Sequence, residues 1–279
     1  MPTGTLNLGA PGFHGKLPAR GDFVMRRLGG DFLNAWDGWL QHELAHSRES
    51  LGERWLDYYL VGPLWRFALA PGLCEARAYA GVIMPSVDRV GRYFPLTVAV
   101  PLAPGADLFA LAAPVAGAGA WFDAAEALLL NALQDDDLDL DDFDRAVAAL
   151  GPLPARGGRG PGPDPAGEAT ATLHAGRYAP PGQVRAGARG GPGLDAWHLP
   201  ASGLDDPRGA HLAGAVLDQV LGHYSLWWTS GSECVQSCFN VCASLPCAER
   251  FAALFVGGWH GRGWRELPAD TPVSDAEGG

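Results

Sequence analysis

A short polar loop between two apolar runs carries side chains that could form an ionic recognition site. The loop contains one serine hydroxyl, one carboxylate and two guanidinium groups, those of Ser86, Asp88, Arg89 and Arg92. The flanking runs, residues 79–84 and 96–102, have the apolar character of strands that are covered on both sides. Open α/β sheets bind ligands where their strands end, so the pattern predicts a polar site at a sheet end. The simpler alternative is an ion pair that only braces a turn.

A second polar loop near the N-terminus repeats this combination of charges and glycines. It carries Lys16, Arg20 and Asp22, with Gly15 and Gly21 beside them. We predict that the two loops pack together and that their polar groups form one site, which serves recognition and performs no reaction. The members of this predicted site are Lys16, Arg20, Asp22, Ser86, Asp88, Arg89 and Arg92.

The sequence His42-Glu43-Leu44-Ala45-His46 matches the HExxH pattern, in which two histidines bind zinc and the glutamate acts as general base. The pattern falls on a predicted helix, so its position alone does not reject a metal-dependent hydrolase. At about 100° per residue, however, Glu43 lies near the centre of the apolar stripe, whereas His42 and His46 lie toward solvent. A zinc site needs histidines that face a cleft. We therefore expect no metal here and keep the hydrolase as an alternative.

Four of the five cysteines are close in sequence, at Cys234, Cys238, Cys242 and Cys247. Cysteine pairs that bind zinc usually have tighter spacing across a turn. Cys238 and Cys242 are instead expected on one face of a strand, where a free cysteine behaves as a small apolar residue. We therefore predict neither a metal nor a cofactor. The odd number of cysteines also favours a reducing compartment.

Hydrophobic periodicity places the elements that must hold these loops. A helix beginning at Asp31 has apolar residues at helical spacing and buries Trp36 and Trp39. Ser50-Leu51-Gly52-Glu53 matches a capping box and predicts the start of a second helix. Strands are predicted at 64–69, 76–84, 96–102, 225–229 and 238–243, and further helices at 120–133, 142–150, 210–221 and after Pro246. This order predicts an α/β fold, a three-layer sandwich whose mixed, largely antiparallel sheet is flanked by helices.

Composition divides the chain into four stretches. Residues 1–150 carry the first helices and strands, and residues 151–208 are rich in Gly, Pro, Ala and Arg. The second stretch has too little apolar surface to offset the entropy of ordering, so we predict a flexible linker or insertion. Residues 209–266 hold too few elements for a stable domain and are expected to complete the sheet. Residues 267–279 are predicted to be a frayed tail.

The chain is acidic, with a net charge of -11 and a pI near 5.1. Nucleic acids and anionic membranes are bound through clustered cations, so this charge argues against both partners. No stretch reaches the roughly 20 apolar residues that a membrane-spanning helix needs, and residues 1–11 lack the features of a secretory signal. We therefore expect a cytoplasmic protein that does not insert into membranes.

Four long motifs lie along the chain. They are Gly12-Phe13-His14-Gly15-Lys16-Leu17-Pro18-Ala19-Arg20-Gly21-Asp22-Phe23, Trp36-Asp37-Gly38-Trp39-Leu40-Gln41, Pro63-Leu64-Trp65-Arg66-Phe67 and the loop from Pro85 to Leu96. Together and in this order they resemble the type VI secretion-associated family TagF, also called ImpM. The similarity is dense over residues 12–102 and looser over 225–259. Several long motifs in the same order are a specific signal.

The resemblance implies a cytoplasmic regulator that represses bacterial type VI secretion after translation by binding the forkhead-associated scaffold protein Fha. It implies no catalytic activity. Besides polar residues of the two loops, the family's signature positions are Gly15, Pro18, Gly21, Trp39, Trp65, Phe67, Pro85, Gly91 and Pro95. A structural accessory subunit of the secretion machine is the other alternative to a regulator.

Overall fold

The computed structural model describes residues 9–112, 118–153, 196–200 and 221–266. Nine strands in these ranges form one sheet. They are β1 (Gly12–Lys16), β2 (Phe23–Arg26), β3 (Trp65–Leu69), β4 (Tyr79–Met84), β5 (Leu96–Pro101), β6 (Ala196–Pro200), β7 (Ser225–Thr229), β8 (Cys238–Cys242) and β9 (Arg265–Glu266). The strand order is β2-β1-β5-β4-β3-β7-β8-β6-β9. Neighbouring strands are antiparallel except β6 and β9, which run parallel.

Helices cover both faces of this sheet. They are α1 (Gly30–Leu51), α2 (Trp55–Leu60), α3 (Leu108–Ala112), α4 (Gly119–Gln134), α5 (Leu140–Ala149) and α6 (Glu249–Val256), with short 3₁₀ turns at Gly52–Arg54 and His260–Arg262. One face packs against α1, α2 and α6, and the other against α3, α4 and α5. The predicted three-layer α/β sandwich with a mixed, largely antiparallel sheet is thus confirmed. None of the helices in the described ranges is both long and apolar enough to cross a membrane.

The central strands serve two cores because successive side chains of a strand point to opposite faces. In β5, Val98 and Val100 pack toward α3–α5, whereas Ala99 faces the layer of α1, α2 and α6. The second layer is rich in tryptophan, and several of its buried indole N–H groups are hydrogen-bonded. The indole N–H of Trp36, for example, donates to Thr97 Oγ1 at 3.1 Å.

Strand β7 joins the sheet in the middle, next to β3, with Phe67 opposite Trp227. Trp227 is fully buried and lies against Trp39, with ring centroids 5.6 Å apart. The indole N–H of Trp39 in turn donates to the Pro246 carbonyl at 2.8 Å. The C-terminal stretch therefore supplies both a central strand and part of the aromatic core.

The observed elements differ from the sequence-based predictions in identifiable places. The predicted strands at 64–69, 76–84, 96–102, 225–229 and 238–243 correspond to β3, β4, β5, β7 and β8. The predicted second helix is present as α2, but the capping box is wrong, because α1 continues through Leu51 and the Ser50 hydroxyl donates to Glu249 of α6. Strands β1 and β2 were not predicted.

Strand β6 lies in the stretch 151–208, so the linker prediction does not hold for these five residues. The predicted helix at 210–221, apart from its last residue, and the predicted tail at 267–279 lie outside the described residues.

Candidate functional site

The β1–β2 turn and the β4–β5 loop lie against each other at one end of the sheet. The Arg89 amide donates to the Arg20 carbonyl at 2.9 Å, and the Ser86 hydroxyl donates to the Lys16 carbonyl at 2.7 Å. Tyr59 of α2 fixes the same loop, because its hydroxyl donates to the Ser86 carbonyl at 2.9 Å and accepts from the Ser86 amide at 3.0 Å. The two polar loops are therefore in direct contact.

Asp88 is the centre of an ion cluster with Lys16 and Arg92. Its Oδ2 accepts hydrogen bonds from Lys16 Nζ and from Arg92 Nε, the latter at 2.7 Å. Its Oδ1 accepts from the backbone amides of Val90 at 3.1 Å and Arg92 at 2.8 Å. Asp88 and Lys16 are only 3% and 4% exposed. Both carboxylate oxygens are thus occupied, and the ion cluster holds the two loops in one arrangement.

The charge state of Asp88 is set by two opposing effects. Burial alone raises the pKa of a carboxyl group, because it disfavours the charged form. At Asp88, hydrogen bonds from the Lys16 ammonium and from the backbone and side chain of Arg92 outweigh burial, so its pKa lies well below the usual range. Asp88 is therefore ionised at neutral pH and is a weak proton acceptor. This state suits an ionic anchor and not a general base.

Two glycines shape the site, Gly15 by permitting the close approach of the loops and Gly91 by permitting a tight turn. Gly15 has φ of +141°, and a side chain there would collide with the Pro95 carbonyl. Gly91 has φ of +83°, and its amide donates to the Asp88 carbonyl at 2.9 Å. Both φ values lie where glycine is favoured over other residues. These two signature glycines give the site its shape.

The solvent-facing side of the ion cluster consists of four side chains, which we call the rim: Arg20, Asp22, Arg89 and Arg92. Arg92 Nη2 donates to the Gly21 carbonyl and lies 3.8 Å from the fully exposed Asp22 carboxylate. Arg20 lies 3.7 Å from Asp139, the residue that caps α5. All seven residues of the predicted site therefore lie together. Lys16, Ser86 and Asp88 are buried, whereas the rim reaches solvent.

The apolar signature residues lie in the core behind the site. Trp39, Trp65, Pro85 and Pro95 help to line an apolar cavity of about 20 Å³. A space of this size holds no more than one water molecule, so these residues serve packing and not ligand binding. Phe67 is fully buried, and Pro18 lies half-buried in the β1–β2 turn.

The HExxH motif has the wrong orientation for a metal site. Glu43 is completely buried, and its Oε2 accepts a hydrogen bond from the Ala248 amide at 2.6 Å, where α6 begins. The side chains of His42 and His46 are 41% and 38% exposed, as the helical projection predicted. Among the described residues, no three His, Cys, Asp or Glu side chains are placed to share a metal ion. The geometry thus gives Glu43 a role in holding α6.

Cys238 and Cys242 lie on one face of β8, in the aromatic core, as their spacing predicted. Burial raises the pKa of the Cys238 thiol to about 12. The thiolate is the form that binds metals and attacks electrophiles, so this cysteine is chemically inert at neutral pH. Its place in the core indicates a packing role.

Three residues near the site, His14, Phe23 and Asp37, lie within the quoted motifs but were not among the predicted site residues. His14 Nε2 lies 3.0 Å from Asp37 Oδ1 of α1, and the His14 ring stacks on Phe23 with centroids 5.7 Å apart. The Lys16 ammonium also lies over Phe23, 4.9 Å from the ring centroid. Side chains alternate along a strand, so a sequence prediction that had included β1 would have placed His14 and Lys16 on one face.

Comparison with known proteins identifies the family. A family model described as "TagF N-terminal domain, Type VI secretion system-associated" matches residues 12–150. A solved structure, that of PA0076 from Pseudomonas aeruginosa PAO1, is 37% identical to the chain and superposes with a TM-score of 0.63. That similarity covers 89% of this chain and 94% of PA0076. The chain belongs to the TagF family.

The range matched by the TagF family contains both polar loops and the whole ion cluster. Strands β7 and β8 and helix α6 lie beyond the matched range, but they belong to the same sheet and core. A comparison with curated proteins gave no match. The family membership inferred from the four sequence motifs is therefore confirmed, and the ion cluster belongs to the TagF part of the chain.

Proposed function

We propose that this TagF-family protein represses bacterial type VI secretion after translation, in the cytoplasm, by binding the forkhead-associated scaffold protein Fha. Family membership supports a role in type VI secretion. The scaffold partner and the repressing role follow from the resemblance of the sequence motifs to TagF. The observation that favours binding over catalysis is the ion cluster, whose charges are satisfied internally and whose rim is exposed.

The rim is suited to protein recognition because hydrogen bonds beneath it hold its loops in place. Arg92 is held by Asp88 and by the Gly21 carbonyl, and a backbone hydrogen bond ties Arg89 to Arg20. Side chains and loops that are held before a partner arrives lose less conformational entropy on binding. Arginine also recognises carboxylates and phosphates with two parallel hydrogen bonds. The rim therefore favours a partner surface that carries negative charge.

The residues of the predicted site are poorly placed for catalysis. Ser86 is 2% exposed, and its hydroxyl donates to the Lys16 carbonyl. Asp88 has both oxygens occupied and a lowered pKa, so it is a weak base. Glu43, the base required by the hydrolase alternative, bonds to the start of α6. These three side chains give the enzyme alternative no support.

Co-purification with the scaffold protein tests the proposal. The tagged chain is purified from cells that produce the secretion machine, together with a variant in which Arg20→Glu and Arg89→Glu reverse two rim charges. The native chain is expected to co-elute with the scaffold as a soluble complex. The variant should retain about one tenth of the scaffold or less, because each charge reversal places like charges at the interface. Secretion by cells that carry the variant should rise accordingly.

Arg265→Glu is the matched control, because Arg265 is an exposed arginine in β9, at the opposite edge of the sheet from the rim. This variant should bind the scaffold as the native chain does. Failure of the native chain to bind the scaffold would refute the proposed partner. Incorporation of the chain into the assembled machine, without a soluble complex, would instead identify a structural subunit.

A further inference from the structure

Strand β2 forms one edge of the sheet, because only β1 pairs with it among the described strands. The unpaired N–H and C=O groups of an edge strand can pair with a strand from another protein. Proteins usually protect such edges with charges, prolines or covering segments. In β2 Arg26 supplies a charge at the end of the strand, and its Nη1 donates to the Met25 carbonyl at 3.1 Å. Two large apolar side chains of the same strand are nevertheless exposed, Phe23 at 49% and Met25 at 57%. They lie on the same face of the strand, since alternate residues share a face.

Phe23 is exposed but held in place by its neighbours. Its ring stacks on His14 and contacts the edge of Phe94, with centroids 5.7 Å and 4.8 Å apart. The Lys16 ammonium lies 4.9 Å from the same ring. A fixed aromatic side chain contributes contact area to an interface at little cost in conformational entropy. Phe23 is thus suited to act as an anchor for a bound segment.

Arginines surround the apolar part of this edge, although the chain as a whole carries a net charge of -11. Arg20 precedes β2 and Arg26 ends it. Carboxylates of the chain, those of Asp139 and Asp141, approach these two arginines only to 3.7 Å and 4.0 Å, and all four side chains are well exposed. Such exposed ion pairs contribute little to stability and are easily exchanged. Carboxylates of a partner can therefore replace Asp139 and Asp141 beside the two arginines.

Two more arginines extend the positive region on the adjoining turn. Arg89 and Arg92 flank Val90, whose side chain is 67% exposed. Asp22 is the exposed carboxylate on this side, and it lies 3.8 Å from Arg92. The edge thus combines an open strand, an apolar row and a surplus of guanidinium groups. These features complement an extended segment in which apolar and acidic residues occur together.

We propose that β2 binds a partner protein by strand addition. An extended segment of the partner pairs with the outer edge of β2, its apolar side chains at alternate positions cover Phe23 and Met25, and its carboxylates contact Arg20 and Arg26. This inference rests on the proposed function only in that the protein acts by binding another protein. It adds the location of the interface, the mode of pairing and the chemistry of the bound segment.

Photo-cross-linking in cells that produce the secretion machine tests the inference. A photo-reactive phenylalanine analogue replaces Met25, and the same analogue replaces Leu133 in the control. Leu133 is an exposed apolar residue of α4, distant in sequence from β2. We expect a cross-linked protein with the analogue at position 25 and none at position 133. The cross-linked peptide, identified by mass spectrometry, should contain acidic residues next to alternating apolar residues.

Amide deuterium exchange of the complex with that protein provides the second measurement. Strand addition should slow exchange of those amides in Phe23–Arg26 that point away from β1, because partner carbonyls then accept their hydrogen bonds. The absence of a cross-link at position 25, a cross-link to the chain's own residues, or unchanged exchange in β2 would each overturn the inference. Co-purification with the scaffold tests the proposed partner separately, so a cross-link to a segment of the stated chemistry in another protein would support strand addition whatever that test shows.

Discussion

Asp88 shows how a single buried residue can organise an exposed surface. Its carboxylate accepts four hydrogen bonds from three residues, and two of the donors are cationic side chains. Burying such a group is costly unless every charge is paired. The sequence suggested an ionic network because charged residues stood between two apolar runs. It did not indicate that Lys16 and Asp88 would be buried, since burial depends on how the two loops pack.

Replacing Asp88 should destabilise the protein strongly. Asp88→Asn leaves the buried Lys16 ammonium without its counter-charge, and breaking a buried ion pair in this way costs about 3–5 kcal/mol. The measurement is the free energy of unfolding from urea titration. Asp22→Asn is the matched control, because Asp22 is fully exposed, and it should change stability by no more than about 0.5 kcal/mol. Adding Lys16→Met to Asp88→Asn should restore part of the loss.

Comparison of the native chain with Asp88→Asn also predicts how stability depends on pH. The pKa of Asp88 is lower in the folded protein than in the unfolded chain, where it is about 3.9. Its contribution to stability is therefore present above that value and is lost as the pH falls further toward the folded pKa. Between about pH 4 and pH 2 the native chain should lose stability more steeply than Asp88→Asn. Parallel slopes would show that Asp88 is not the anchor of the loops.

At the scale of elements, the HExxH motif illustrates how a catalytic pattern can have a structural explanation. Helix α1 turns Glu43 into the protein, where its carboxylate accepts from the amide of Ala248, the residue that precedes α6. That position satisfies an amide that the helix itself leaves unpaired, and a negative charge is favourable at a helix N-terminus. The helical stripe was enough to predict that Glu43 points inward. It could not reveal α6 as the partner, which lies about 200 residues further along the chain.

Glu43→Ala should therefore loosen the attachment of α6. The partly buried Ala248 amide would lose this charged acceptor, and a hydrogen bond to a charged group contributes about 1.5–3 kcal/mol. Glu49→Ala, which removes an exposed glutamate of the same helix, is the control and should have little effect on the free energy of unfolding. A zinc site would give a different result. In that case His42→Ala and His46→Ala would lower the free energy of unfolding as much as Glu43→Ala does. A chelator would then remove the difference in stability between the native chain and the two histidine variants.

The elements that sequence reasoning missed are those made by tertiary pairing. Strand β1 contains two glycines, a histidine and a lysine, and neither its propensity nor its periodicity indicates a strand. It forms because β2 and β5 pair with it on either side. Strand β5 could be predicted, since Val98 and Val100 alternate with small residues, as a strand covered on both faces requires. Candidate residues of the site were thus found before the strands that position them.

At the scale of the whole molecule, the two ends of the sequence share one sheet. Strands β7 and β8 extend the sheet from β3, and α6 packs against α1. Composition could separate residues 1–150 from 209–266, because the intervening stretch is rich in glycine and proline. Strand order could not be read from the sequence, because neighbouring strands in the middle of the sheet are far apart in the chain.

A fragment ending at residue 153 should therefore fail to fold alone, although it contains the complete ion cluster. Without residues 221–266, β3 loses β7 and becomes an edge strand that pairs only with β4. The indole N–H groups of Trp39 and Trp65 also lose their acceptors, the carbonyls of Pro246 and Leu254. Near-ultraviolet circular dichroism of the fragment should lack a defined aromatic signal. Co-expression with residues 196–266 should restore it, because these residues supply the missing strands and α6. A fragment that unfolds cooperatively without this addition would show that the N-terminal part is a domain in its own right.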